Sequence, residues 1–347
     1  MTKLTIEETQ PVQEEQVQDE AGFSLGESTD EGVAVDELSK NAMGGTEMMK
    51  YGLYERLADD IKDEVQIICS RVREIDEHRP SILWLHDLFN DPEAVHLKDP
   101  ESRARFDRLV FVSNYQFNTY QMSMGVPYSE SLILRNAIEP IEWKDKDYDG
   151  TIKMIYHTTP HRGLELLVPT FEYLQQHHDN IHLDVYSSFE AYGWPQRDEP
   201  YKELFAKIDD NPQMTYHGYQ PNDVVRRALQ QAHIFPYPCI WQETSCIAAI
   251  EAMSAGVNIV CPNYAALPET TSNFAYMYHW HEDMQQHVNI FANALSSVID
   301  MVGRKEQNMI NRLAFQKNYT DSFYSWDQRV REWDGLIRGV LAQSKAS

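Results

Sequence analysis

A chain of 347 residues with 42% hydrophobic content is long enough to bury the cores of two domains, and its four cysteines match no metal or redox spacing, which excludes a small disulfide-stapled fold. The formal net charge of -24 argues against nucleic acid and anionic bilayers as partners, and no run approaches the ~20 apolar residues of a membrane span. Residues 1–10 lack the apolar core of a signal peptide, so a soluble cytoplasmic protein with reduced, buried thiols is expected.

Residues 1–40 carry eleven carboxylates, from Glu7 to Glu37, against only Lys3 and Lys40. Such a segment cannot bury enough apolar surface to offset its ordering, and it reads as a solvated tail or loosely docked arm. From Gly44 onward strand and helix patterns alternate, which predicts a parallel α/β architecture. The first domain, 41–140, holds a helix at 46–57 and strands at 64–71, 82–86, 109–113 and 131–136. The polar stretch 139–150 breaks the alternation and supplies a linker at 141–150. A second domain, 151–322, follows with strands at 152–157, 181–186, 214–219, 233–237, 258–261 and 275–279. Its helices are expected at 162–178, 221–231, 244–255 and 282–301. The closing segment 323–347 carries a helix at 326–343 that is expected to return to the first domain. Two Rossmann-like halves joined in this way leave a cleft between the carboxyl edges of their sheets.

The chemistry concentrates on Glu243 and Glu251, which are separated by seven residues between a buried strand and a helix closed by Gly256. The pair Thr244 and Ser245 reads as the start of that helix. One carboxylate then stands on a loop at a strand's carboxyl end and the other about two turns into the helix. The first amides of the helix lie between them, so the crevice offers carboxylates for sugar hydroxyls and a dipole for phosphate. A metal reading is weaker. Asp145, Asp147, Asp149 and Gly150 imitate the opening of a calcium loop, but Tyr156 stands where its twelfth-position Glu belongs, so a solvated charge run is expected and no metal site.

From about Asn41 to the last helix, these residues resemble the retaining glycosyltransferases of family 4, whose fold is GT-B. Glu243 and Glu251 match that family's E-x7-E signature, and Ala252-Met-Ser-Ala-Gly256 matches the small-residue run after its second Glu. The resemblance implies that Glu243 contacts donor-sugar hydroxyls, that Glu251 holds the ribose, and that amides near Thr244 and Ser245 bind the diphosphate. The turn Thr159-Pro-His-Arg-Gly-Leu164 looks like the family's R/K-G-L phosphate turn, with Arg162 as the cation and Gly163 allowing close backbone approach. Gly44-Gly45-Thr46-Glu47 resembles the glycine loop beside the donor phosphates. His86 matches a strand-end histidine that reaches the transferred sugar, and His217-Gly218-Tyr219 looks like the loop bordering the base, with Tyr219 on the donor. The chain departs from the pattern in three places. Only 32–35 hints at the usual strand before the glycine loop, Tyr156 replaces a second basic residue, and Asn136-Ala137 replaces Asn-Gly at the hinge.

The resemblance implies a metal-independent front-face transfer from a nucleotide diphosphate sugar to a hydroxyl acceptor, with no cofactor beyond the donor. A sugar-nucleotide epimerase or hydrolase on a similar scaffold, and a non-catalytic nucleotide-sugar-binding protein, are the alternative readings. Neither the donor base nor the acceptor is fixed by these motifs.

Overall fold

The structure is a computed structural model that describes residues 44–148 and 150–344. The acidic tail 1–40, the strand hint at 32–35 and Asp149 lie outside the described residues.

In the first lobe β1 (Gln66–Cys69), β2 (Ser81–Leu85), β3 (Arg108–Phe111) and β4 (Ser131–Ile133) form a parallel sheet in chain order. In the second lobe β5 (Ile152–Tyr156), β6 (Ile181–Val185), β7 (Met214–Tyr216), β8 (Ile234–Pro236), β9 (Asn258–Pro262) and β10 (Tyr276–Tyr278) form a parallel sheet in the order β10-β9-β8-β5-β6-β7. Helices cover both faces of such sheets, so central strands are apolar throughout; β2, β8 and β9 are buried at every position. These are the two Rossmann-like halves of the GT-B architecture. The order of the second sheet reverses at β5, which has β8 on one side and β6 on the other. Ligands of open α/β sheets bind outside the carboxyl ends of the strands at such a switch point.

The first lobe's helices are α1 (Gly45–Tyr54), α2 (Pro100–Arg103) and α3 (Asn114–Met124). The second lobe contributes α4 (Leu164–Leu174), α5 (Lys202–Asp209), α6 (Asn222–Leu229), α7 (Ile247–Ser254), α8 (Leu267–Thr271), α9 (Met284–Gly303) and α10 (Gln307–Phe323). The final helix, α11 (Trp326–Ser344), returns to the first lobe. There Trp333, Ile337 and Val340 share a core with Met49 and Leu53 of α1 and Trp84 of β2. The Trp84 and Trp333 rings lie 4.8 Å apart. Gly52 makes room for this helix, since a Cβ there would stand 2.3 Å from the Trp326 ring. No helix among the described residues is long and apolar enough to cross a membrane.

The chain passes between lobes after β4 and again after α10, and the two crossings are bonded. The Ile138 amide donates to the Tyr324 carbonyl at 2.8 Å, and the Tyr324 hydroxyl donates to the Thr270 carbonyl at 2.9 Å. A second link runs from Glu269 on α8. Its carboxylate accepts from the amides of Asn114 and Tyr115, each at 3.0 Å, from Asn114 Nδ2 at 2.7 Å and from Arg135 Nη2 at 3.0 Å. Asn114 and Tyr115 open α3, so the carboxylate meets amides that the helix itself cannot satisfy and lies at the positive end of its dipole. Glu269→Ala is expected to destabilise the protein by about 1–3 kcal/mol through these orphaned donors, read as a lower midpoint in urea unfolding. An unchanged midpoint would show that the link carries no stability.

Candidate active site

The cleft between the lobes has a volume of about 1080 Å3. Glu243, His86, Arg162, Glu251, Gly44, Gly45, Thr244, Ser245 and Tyr219 all line it. Gly163 does not line it. Its φ of +123° is open to glycine, and a Cβ there would lie 2.2 Å from the Pro238 carbonyl oxygen. The close approach that Gly163 permits is therefore between the turns after β5 and β8, and it brings Arg162 beside Glu243.

Arg162 ends the short 3-10 turn Pro160–Arg162 that follows β5, and Glu243 stands on the loop after β8, so the sheet's switch point sets them side by side. Arg162 Nη1 donates to Glu243 Oε1, while Nε donates to Thr159 Oγ1 at 3.1 Å and Nη2 to the Tyr192 hydroxyl at 3.4 Å. Burial alone would lower the guanidinium's pKa, but the charge of Glu243, with Tyr192 and Tyr237, holds it well above the usual value. The Tyr237 hydroxyl also donates to Glu243 Oε1, at 2.5 Å. Both partners take the same oxygen, and Oε2 is left for a ligand. Sequence reasoning missed Tyr192 and Tyr237, which carry no motif of their own.

The helix that holds Glu251 begins later than expected, at Ile247 rather than at Thr244 and Ser245. A Ser/Thr pair predicts a side-chain cap, but the Thr244 hydroxyl is engaged elsewhere, donating to the His86 carbonyl of the other lobe at 2.8 Å. The free amides at the head of α7 are accordingly those around Ile247 and Ala248, both of which line the cleft. The head of α1 faces them: a Cβ on Gly45 would lie 3.1 Å from Ile247 Cδ1, and one on Gly44 would lie 2.7 Å from the Tyr192 ring. Two helix N-termini and the Arg162 guanidinium thus converge, which concentrates positive potential in a strongly acidic chain.

His86 follows β2, with its amide donating to Ser70 Oγ at 2.9 Å and its ring 4.7 Å from that of Trp84. Its Nε2 has no hydrogen-bond partner among the described residues. Burial pushes the imidazole pKa down to about 3, so at neutral pH the ring is uncharged and fits a hydroxyl rather than an anion. Tyr219 follows Gly218, whose φ is +61°, and the loop is braced where His217 stacks on Tyr186 at 4.2 Å and bonds Asp184 Oδ1 at 2.7 Å.

Glu251, 3% exposed, lies in the second turn of α7. Burial raises its pKa, opposed by Arg226 and Asn222. Arg226 Nη1 lies 2.7 Å from Oε1, and Asn222 Nδ2 lies 3.3 and 3.2 Å from the two oxygens. Neither partner was foreseen. Their four-residue spacing on the helix after Tyr219 was the available signal. Among the described residues no group of three or more His, Cys, Asp or Glu is placed to hold a metal ion.

Comparisons with known proteins bear on the family and the fold. The family model for glycosyl transferases group 1 matches residues 139–314, just over half of the chain. No curated protein matches the chain. Among solved structures, a glycosyltransferase from Rickettsia africae ESF-5 is similar with a TM-score of 0.64 at 14% identity, covering 89% of this chain and 84% of that one. The pneumococcal O-GlcNAc transferase GtfA, in complex with UDP and GlcNAc, gives 0.57 at 10% identity over 76% of this chain, which spans only 53% of that protein. Anabaena HepE, in complex with UDP-glucose, gives 0.54 at 13% identity, covering 77% of this chain and 73% of that one. At these identities the structures speak for the fold, and the family match speaks for the lineage: the chain belongs to the group 1 glycosyl transferases.

Proposed function

We propose that the protein is a retaining glycosyltransferase of the family 4 type that moves a sugar from a nucleoside diphosphate sugar to an acceptor hydroxyl, without a metal ion. The observation that carries the reading is the meeting of the Arg162–Glu243 pair with the heads of α1 and α7 at the sheet's switch point. The UDP and UDP-glucose bound by GtfA and HepE support a nucleoside diphosphate donor.

In this reading the diphosphate lies against Arg162 and the amides of the two helix heads. Glu251 accepts from the ribose hydroxyls, and Glu243 Oε2 accepts from hydroxyls of the transferred sugar. As the bond from the anomeric carbon to the diphosphate oxygen breaks, negative charge grows on that oxygen and the sugar becomes oxocarbenium-like. Arg162 and the helix amides stabilise the leaving group, and groups already fixed in place do so without reorganising. The acceptor oxygen bonds the anomeric carbon on the face the diphosphate leaves, and its proton passes to the departing oxygen. His86, uncharged, orients a sugar hydroxyl. Positioning by both lobes supplies much of the remaining rate.

Incubating the protein with UDP-, GDP- and ADP-sugars and a panel of hydroxyl acceptors, with products followed by NMR in the presence of a chelator, tests the proposal. The expected product keeps the donor's anomeric configuration and forms at an unchanged rate with chelator. An inverted product, or free sugar or epimer formed without acceptor, would overturn it.

A further inference from the structure

We propose that Arg226 is the positioning residue for ribose recognition, fixing the orientation in which Glu251 meets the donor. The proposal rests on the donor reading above and extends it to a residue that does not itself touch the nucleotide.

Glu251 has a side chain only 4% exposed, and a carboxylate so enclosed keeps its charge only when it is paired. Both of its partners come from one face of α6, where Asn222 and Arg226 stand a turn apart. The guanidinium is itself held from behind. Arg226 Nη2 donates to the carbonyl of Glu139 at 2.7 Å, with the Pro140 carbonyl at 3.4 Å. Those carbonyls belong to the segment that follows the interlobe crossing at Ile138. Glu139 is tethered in turn to the first lobe, its carboxylate accepting from Arg56 Nη2 at 2.8 Å and Nε at 3.2 Å.

A planar fork gripped by carbonyls at one end presents its other end in one direction, which a flexible ammonium would not do. It takes Oε1 of Glu251 in a 2.7 Å ion pair, while Oε2 has only the 3.2 Å contact from Asn222. Glu251 and Asn222 line the cleft with Tyr219. The ion pair opposes what burial does to the carboxylate's charge, and Oε2 keeps acceptor capacity for the paired hydroxyls of a ribose. Without the fork, the same carboxylate would lose both its charge partner and its fixed rotamer.

The test is calorimetric titration of the full chain with UDP, GDP and ADP, each beside its 2′-deoxy and 2′,3′-dideoxy counterparts. Wild type is expected to bind one of the three and to lose about tenfold or more when the ribose hydroxyls are removed, the weight of a charge-assisted hydrogen bond. In Arg226→Gln, affinity for the ribonucleotide should fall about tenfold, while the dideoxy counterpart binds as it does to wild type, so that the discrimination collapses. Arg226→Lys, which keeps the charge beside Glu251 and so guards against a folding defect, should show a reduced but measurable discrimination. A merely structural residue would weaken both nucleotides alike. Variants that keep the full wild-type discrimination, or lose affinity equally for both, would overturn the assignment while leaving the donor reading in place. Wild type that binds none of the three nucleotides would overturn both.

Discussion

Arg162→Ala is expected to lower kcat/KM by about 10² to 10³, the usual cost of losing one preorganised donor to a developing anion. Glu243→Ala should fall in the same range, because it removes both the proposed sugar contact and the anchor that aims Arg162. The two effects should not multiply. Residues that act as a unit give a double variant little worse than either single one, and here each side chain fixes the other through Glu243 Oε1. Steady-state rates on the single and double variants, with circular dichroism to verify folding, measure both claims. The loop after β8 keeps its Tyr237 anchor when Arg162 is removed. A soluble, folded Glu243→Ala with undiminished turnover would reject the assignment.

Trp333→Ala is expected to cost about 3–5 kcal/mol of stability, the range for emptying a large aromatic site in a core. Trp333 is 0% exposed and packs on Trp84, at the point where α11 leaves the second lobe and joins the first lobe's core. Its loss therefore empties the first lobe and loosens the strap between the lobes together. Trp333→Phe should cost far less, since it keeps most of the ring and removes an indole N–H that has no acceptor among the described residues. Urea unfolding of the two variants measures the difference. A change below about 1 kcal/mol in the alanine variant, the size of an ordinary substitution, would mean that α11 is not held as described.

Much of the scaffold is legible in the sequence because buried parallel strands are apolar on both faces. Runs such as Ser-Ile-Leu-Trp-Leu at β2 and Ile-Phe-Pro at β8 stand out against polar connections. Helix α10 is different, and no helix was expected over its residues. Its buried stripe includes Gln316 and Thr320. Gln316 Nε2 donates to the carbonyls of Met253 and Val257 at 3.2 and 3.0 Å, capping the end of α7. A helix that buries hydrogen bonds rather than methyl groups leaves a weak hydrophobic period.

The site divides along the same line. Glu243 and Glu251 stood out in the chain because a strand end and a glycine stop bracket them, and Arg162 through its resemblance to the R/K-G-L turn; all three line the cleft. Thr244 was misread as a helix start because its hydroxyl serves the other lobe, and nothing local reveals a bond to His86 across 158 positions. Arg226 carries no motif, and its bond to Glu251 emerges only where α6 meets α7. Gly163 was legible as a required glycine but not for its reason, since Pro238, the backbone it accommodates, is distant in sequence.

A crystal structure with the nucleoside diphosphate sugar that stabilises the protein most in a thermal-shift series would show whether the donor lies against Arg162, Glu243 and Glu251. Diphosphate oxygens are expected within hydrogen-bond distance of the Arg162 guanidinium and ribose hydroxyls on Glu251, with the sugar beside Glu243. A nucleotide bound away from these three side chains, or a cleft empty at saturating ligand, would contradict the assignment.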